Sequence, residues 1–256
     1  MQPTTLITAS FDVRRLAPGL APQSMELPAA EAPAPQAQRE FKIESADSFV
    51  VRQSANQLLQ ERYSWRGYQK VTLPTDQTAD RTTLTAMEGD QAIGTITVGL
   101  DGTSGMNCEH VFPEELAALR AEYGRICEFT KLAVDPAGTS RVLAGLFHVA
   151  YIVAHKLRGY KAVVMEVNPR HVRFYERMLG GRVFGSERLN TSVNAPAVLL
   201  VIDFAYIASQ IAERAGRPAS SANDRSLYSL AFSAREEQGI VDRLMAAQKP
   251  ASLVVN

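Results

Sequence analysis

The chain is poor in sulfur and in histidine. Two cysteines, Cys108 and Cys127, and four scattered histidines in 256 residues give neither a disulfide framework nor a metal-ligand spacing, so a reducing cytoplasm is the expected compartment. Net charge is also lacking. Twenty-seven Lys and Arg balance 27 Asp and Glu, which argues against nucleic acid as the main partner, because phosphates demand a basic excess. No basic-then-apolar signal opens the chain, and the longest apolar run, 195–208, is interrupted by Asp203 and too short for a bilayer. A soluble protein working without metal or redox cofactor is the expectation these absences leave.

What is present is unevenly spread. Six of the 13 prolines fall in the first 35 residues, and the Pro/Ala/Gln/Glu tract 18–38 cannot pack a core, so residues 1–42 are expected to form a disordered leader. Residues 43–215 carry the pattern of one catalytic domain, and 216–256 that of a linker and helical tail. An amphipathic helix is predicted over 45–61, with apolar Phe49, Val50, Leu58 and Leu59. Strands over 82–88 and 92–99 flank the hairpin signal Gly89-Asp90-Gln91. Then follow a helix over 113–122 with Pro113 in its first turn, a strand over 125–134 and a long helix over 139–157 with one apolar stripe. A strand over 161–167, a helix over 170–179 ending at Gly180-Gly181, and strands over 182–184 and 197–203 complete the order. This is an α/β (α+β) pattern, a mixed sheet with helices on both faces and a C-terminal helical extension.

Chemistry concentrates in two stretches, 125–136 and 163–181. In the second, an apolar strand meets a sharp Asn168-Pro169 break, which puts polar residues beyond a strand's C-terminal end, where α/β proteins place ligands. Between Thr139 and Arg188, nine Lys or Arg face three Glu. Such a local excess suits an acidic partner or a phosphate, and equally a solvated face.

The strings Arg62-Tyr63-Ser64-Trp65-Arg66-Gly67-Tyr68, Cys127-Glu128-Phe129-Thr130-Lys131-Leu132-Ala133-Val134, Glu166-Val167-Asn168-Pro169-Arg170-His171 and Val193-Asn194-Ala195-Pro196-Ala197-Val198-Leu199-Leu200 resemble, in the same order, those of bacterial long-chain N-acyl amino acid synthases of the FeeM type. The likeness spans about 46–204. It implies a GNAT-like fold related to acyl-homoserine-lactone synthases, in which two parallel strands splay apart. It also implies transfer of a fatty acyl group from the phosphopantetheine thioester of an acyl carrier protein to the α-amine of an amino acid. The donor arm is then a substrate, with no permanently bound cofactor.

Roles follow from that resemblance together with the residue chemistry. Glu128 is the expected general base, unless Lys131 or Arg125 neutralises it for structural reasons; on a regular strand Glu128 and Lys131 face opposite ways, so their pairing requires a twist or bulge. Tyr175 stands where many GNAT enzymes keep a tyrosine that protonates the departing thiolate, or else packs in the core. Asn168 and Arg170 suit the acceptor's carboxylate, with turn chemistry as the alternative for Asn168. Arg62, Trp65 and Arg66 form a lid cluster for an anion and an apolar chain, or are surface charge around one anchored Trp. The glycines of 138–146 are out of register for the coenzyme A diphosphate loop. Thr139, Ser140 and Arg141 at the helix start offer enough for the single phosphate of phosphopantetheine, or an ordinary N-cap. Arg173 and Arg177, at i and i+4, suit docking of an acidic carrier protein or a solvated face. Cys127 lacks a partner base and reads as a small buried thiol. The C-terminal helices, or the lipid product, offer a peripheral membrane contact. Rival readings are a coenzyme A dependent N-acetyltransferase and a non-catalytic lipid-sensing scaffold.

Overall fold

The computed structural model describes residues 5–11, 39–64, 71–73, 80–136, 140–217 and 226–248. The strands are β1 (Thr5–Phe11), β2 (Arg39–Ser45), β3 (Arg81–Glu88), β4 (Gln91–Leu100), β5 (Ile126–Val134), β6 (Ala162–Val167), β7 (Arg182–Val183), β8 (Arg188–Asn190) and β9 (Ala195–Asp203). The helices are α1 (Phe49–Ser64), α2 (Pro113–Tyr123), α3 (Ser140–Tyr151, continued by a π-helical segment Ile152–Leu157), α4 (Val172–Leu179), α5 (Phe204–Arg214) and α6 (Ala234–Gln248). All nine strands join one sheet ordered β1-β2-β3-β4-β5-β6-β9-β7, with β8 on β9. Every pairing is antiparallel except β5 with β6.

Alternation along β5, β6 and β9 sorts side chains onto two faces. Cys127, Phe129, Val163, Met165, Leu200 and Ile202 join the core built with α3, α5 and α6, whereas Ile126, Ala162, Val164, Leu199 and Val201 pack with Leu116 and Leu119 of α2. Helix α1 buries Val51, Ala55, Leu58 and Leu59, an i, i+4, i+7, i+8 stripe. Phe49 and Val50, expected on that stripe, lie off it and are exposed, at 80% and 59%. At the end of α4, Gly180 takes the left-handed conformation (φ 71) and its N–H donates to Glu176 O, while Gly181 N donates to Tyr175 O, the paired closure that a residue with a Cβ resists.

The start of the chain departs from expectation. Residues 5–11 and 39–42 are not a disordered leader but strands of the sheet, with Leu6, Phe41 and Ile43 almost fully buried; the intervening tract 12–38 lies outside the described residues. The C-terminal segment carries the expected helix and uses it for packing: Phe232, Ile240 and Leu244 enter the main core, and Arg243 Nε donates to Leu6 O at 2.5 Å. Burial of Leu6, Phe41 and Ile43 outweighs the polar, proline-rich character that made residues 1–42 look like a disordered leader. The apolar run 195–208 divides at Asp203, whose side chain accepts from Ala205 N and caps α5. No helix among the described residues is long and apolar enough to cross a membrane.

Candidate active site

The central feature is a split in the sheet. β5 and β6 pair only at Ile126–Ala162, Cys127–Val163 and Glu128–Val164, although β5 runs on to Val134 and β6 to Val167. Beyond that point their facing backbone groups no longer bond one another, and a solvent-open cleft enclosing ≈ 980 Å³ of atom-free space fills the gap. Phe129 to Leu132 form one wall and Met165 to Asn168 the other, with Tyr175 of α4, Phe147 of α3 and Tyr63 of α1 closing around them. The Tyr63 hydroxyl donates to Leu132 O at 3.2 Å, fixing the end of α1 over β5.

Glu128 stands at the apex, in the last paired register. Its carboxylate is 1% exposed; it accepts from Asn107 Nδ2 at 2.8 Å and Cys108 N at 3.3 Å, with Arg81 at 3.6 Å. Burial pushes its pKa above the ordinary carboxylate range, opposed by those hydrogen bonds and by Arg81. Gly99, its cross-strand partner, makes room: a Cβ there would lie 2.8 Å from Glu128 Cγ and Oε1. Neither Gly99 nor Arg81 carries a local sequence signal for this role; both are brought in by sheet register.

The bulge that a Glu128–Lys131 relation required is present. Thr97 pairs with Thr130 but Thr95 with Ala133, and Lys131 adopts φ 51, an uncommon conformation for a residue with a side chain. Lys131 lines the cleft. Burial, then Arg81, lowers its pKa, while Glu128 acts in the opposite sense. Next to it, Thr130 Oγ1 is buried with no hydrogen-bond partner among the described residues.

Asn168 and Arg170 both line the cleft. Asn168 Oδ1 accepts from Arg170 N and Arg170 Nε, each at 3.2 Å, so the turn role of Asn168 is real and also orients the guanidinium. Arg62 is half-buried, one residue before Tyr63, and its Nε has no partner among the described residues; Trp65, Arg66 and Thr139 lie outside those residues. Ser140 begins α3. Arg141 departs from its expected phosphate role: its guanidinium donates to Leu230 O and to Ala231 O, and lies 5.0 Å over the Phe232 ring. That side chain pins the C-terminal segment. Arg173 and Arg177 are exposed on α4. Cys127 is fully buried with its thiol pKa pushed well up by burial, and Cys108 likewise, so neither presents a thiolate.

Glu166 and Asn190 also belong to the site, although the sequence motifs assign neither a role. Glu166 lines the cleft and accepts from Asn190 Nδ2 at 2.5 Å; Asn190 is 6% exposed. Asn190 comes from β8, which was not anticipated, and nothing local in the sequence singles it out.

A GNAT-like sheet opened between parallel strands, with a buried carboxylate at the fork, defines an acyltransferase fold. The profile of the N-acyl amino acid synthase FeeM family matches residues 54–203, more than half the chain. The chain belongs to that family and is an N-acyltransferase. Among solved structures it is similar to FeeM, an N-acyl amino acid synthase from uncultured soil microbes, at 23% identity over 66% of this chain and 93% of that one, with a TM-score of 0.57. It is also similar to an acyl-CoA N-acyltransferase from Pseudomonas aeruginosa (14% identity, 63% and 97% covered, TM-score 0.46) and to MesI, a CoA-dependent acyl-homoserine lactone synthase (18%, 60% and 81%, 0.44). A search of curated proteins finds no match.

Proposed function

We propose that the chain moves a long-chain fatty acyl group from an acyl carrier protein thioester to the α-amine of an amino acid. The observation that carries this reading is the split between β5 and β6, which opens an apolar wall and a carboxylate-bearing wall to the same cleft. Unpaired backbone groups along both strands match the amides of a pantetheine arm, as an extended peptide would be matched at a sheet edge. Phe129, Phe147, Met165 and Val167 offer the fatty chain an apolar lining.

In this reading the acceptor nitrogen gives a proton to Glu128, directly or through water, and attacks the thioester carbon. The carbon–sulfur bond then breaks, Tyr175 supplies a proton to the thiolate, and amide and free thiol leave. Holding the two substrates in register contributes on the order of 7–11 kcal/mol in well-oriented reactions, so no covalent intermediate is needed. Lys131, Arg170 and Arg62 are the cations for the acceptor's carboxylate, completed in the resemblance by Trp65 and Arg66. Ser140 at the start of α3, and Thr139 before it in the sequence, remain the phosphate candidates, whereas Arg141 is engaged by the C-terminal segment. Arg173 and Arg177 offer the acidic carrier a docking patch.

The test is a matched assay with acyl carrier protein and coenzyme A thioesters of C4 to C16 chains and the 20 amino acids, read by mass spectrometry. Formation of a long-chain N-acyl amino acid from the carrier-linked donor is expected. Transfer only from short coenzyme A thioesters would replace this reading with an N-acetyltransferase.

A further inference from the structure

Glu128 is paired in register with Val164, and Glu166 follows two residues along β6. Side chains two apart on a strand share a face, so the two carboxylates stand on the same side of the sheet, the side of α2. Glu166 pairs with Leu199, whose side chain packs on that face. The fields of both carboxylates also reach the Cys108 thiol.

Glu166 is held in place. Asn190 Nδ2 donates to its Oε1, and Asn190 Oδ1 is fixed in turn by Ser192 N at 2.9 Å; those two bonds settle which end of the amide is which. His110 braces the arrangement. Its Nδ1 lies 2.5 Å from Asn107 O and must be the donor there, since a carbonyl only accepts; its Nε2 meets Ser192 Oγ at 3.2 Å and lies 3.4 Å from Asn190 Oδ1. Asn107 closes the loop by donating its Nδ2 to Glu128. A polar framework thus ties the two carboxylates together from behind. Glu166 lines the cleft, and among the described residues no bond occupies its second oxygen; the buried Thr130 hydroxyl on the facing strand has no partner among them either.

We propose that Glu166 is the seat of the acceptor's ammonium group and Asn190 its positioning residue, so that one carboxylate holds the nitrogen while Glu128 removes its proton. This rests on the acyl-transfer reading above and adds to it the binding of the amine. One proton of the ammonium passes to Glu128 and frees the lone pair that attacks; the second, lost as the amide forms, replaces the proton that Tyr175 gives to the departing thiolate, while Glu166 holds the nitrogen through an N–H with its own charge unchanged. The arrangement favours a primary α-amine, with hydrogens to spare for both carboxylates, over a secondary amine or an alcohol.

The experiment uses the full chain, an acyl carrier protein thioester, and two nucleophiles: a cationic amino acid ammonium and hydroxylamine, which is uncharged near pH 8. Glu166→Gln is expected to raise KM for the amino acid roughly 10- to 100-fold, the range for losing a hydrogen bond to a charged group. It should leave KM for the donor and the rate with hydroxylamine within about threefold. Glu166→Asp restores part of the loss. Asn190→Ser raises the amino acid KM in the same direction by less, and supplies the reading if Glu166→Gln fails to fold. An unchanged amino acid KM in an active Glu166→Gln enzyme, or an equal loss with both nucleophiles, overturns the proposal. A wild-type protein that acylates hydroxylamine but no amino acid overturns the acceptor reading itself and this seat with it, a result distinct from failure of the variant alone.

Discussion

The two faces of the sheet at the split differ sharply in what they hold. On the α3 side, Phe129, Met165 and Val167 line the cleft with Phe147, and behind Phe129 and Phe147 lies an apolar pocket lined by Val163, Ile207 and Tyr228, with room for about one water molecule. On the α2 side, Glu128, Glu166 and Asn190 are tied by specific hydrogen bonds. The sheet normally keeps such environments apart. Opening it between two parallel strands lets one cleft touch both, so a greasy chain and a charged amine can meet without either environment being compromised. The apolar side tolerates changes of shape, whereas the polar side depends on single atoms.

The sharpest way to break this contrast is Glu128→Gln. Turnover should fall by about 10²–10⁴, the usual worth of a general base, while donor binding is kept, and equal turnover would remove Glu128 from its role. The pH dependence follows from the direction of its shift. A raised pKa means that the carboxylate becomes protonated, and the rate falls, at a higher pH than for an exposed glutamate; the variant should lose that acidic limb. The same shift makes protonation favour the fold, so the contribution of Glu128 to stability is present below the ordinary carboxylate value and disappears as pH rises through the raised one. Glu128→Gln should therefore melt at or above the wild-type temperature at pH 8, which thermal denaturation checks.

Gly99→Ala is next in expected size. Its new methyl group meets Glu128, and since a misplacement of about 1 Å can cost roughly 10²-fold, activity should drop by one to two decades without loss of fold; a circular dichroism spectrum and kcat measured together decide it. On the apolar side, Phe129→Leu should widen the cleft's apolar lining and alter donor chain-length preference several-fold, about 1 kcal/mol in kcat/KM terms, while the amino acid KM stays put. An altered amino acid KM would mean the faces are not independent. The smallest effect belongs to the surface: Arg173→Glu with Arg177→Glu should raise KM for the carrier-linked donor a few-fold at low salt. That difference should vanish near 1 M salt, where screening shortens to about 3 Å.

Much of this contrast was legible in the sequence. The strand 125–134, the break at Asn168-Pro169 and the glycine stop at 180 rest on local periodicity and turn chemistry, and the structure has them within a residue or two. The carboxylate at 128 was legible because it stands inside a family string. Asn190, His110 and Gly99 were not, because each matters through a partner 24, 80 or 29 positions away, a relation that sheet register creates and local pattern does not record. The Lys131 bulge was foreseen only as a requirement. β1 and β2 leave no local signal because they are short strands whose pairing joins residues far apart in the sequence, and the engagement of Arg141 is hidden because its carbonyl partners lie 89 and 90 positions downstream.

The clasp between Arg243 and Leu6 bears on how the enzyme can be handled. It lashes the last helix to the outermost ribbon, so the first and the final described stretches are neighbours in space. Trimming the polypeptide to the span it shares with its relatives would strip two ribbons from one border and lift Phe232 and Ile240 out of their sockets. The catalytic fork would then be left standing on an exposed, oily flank.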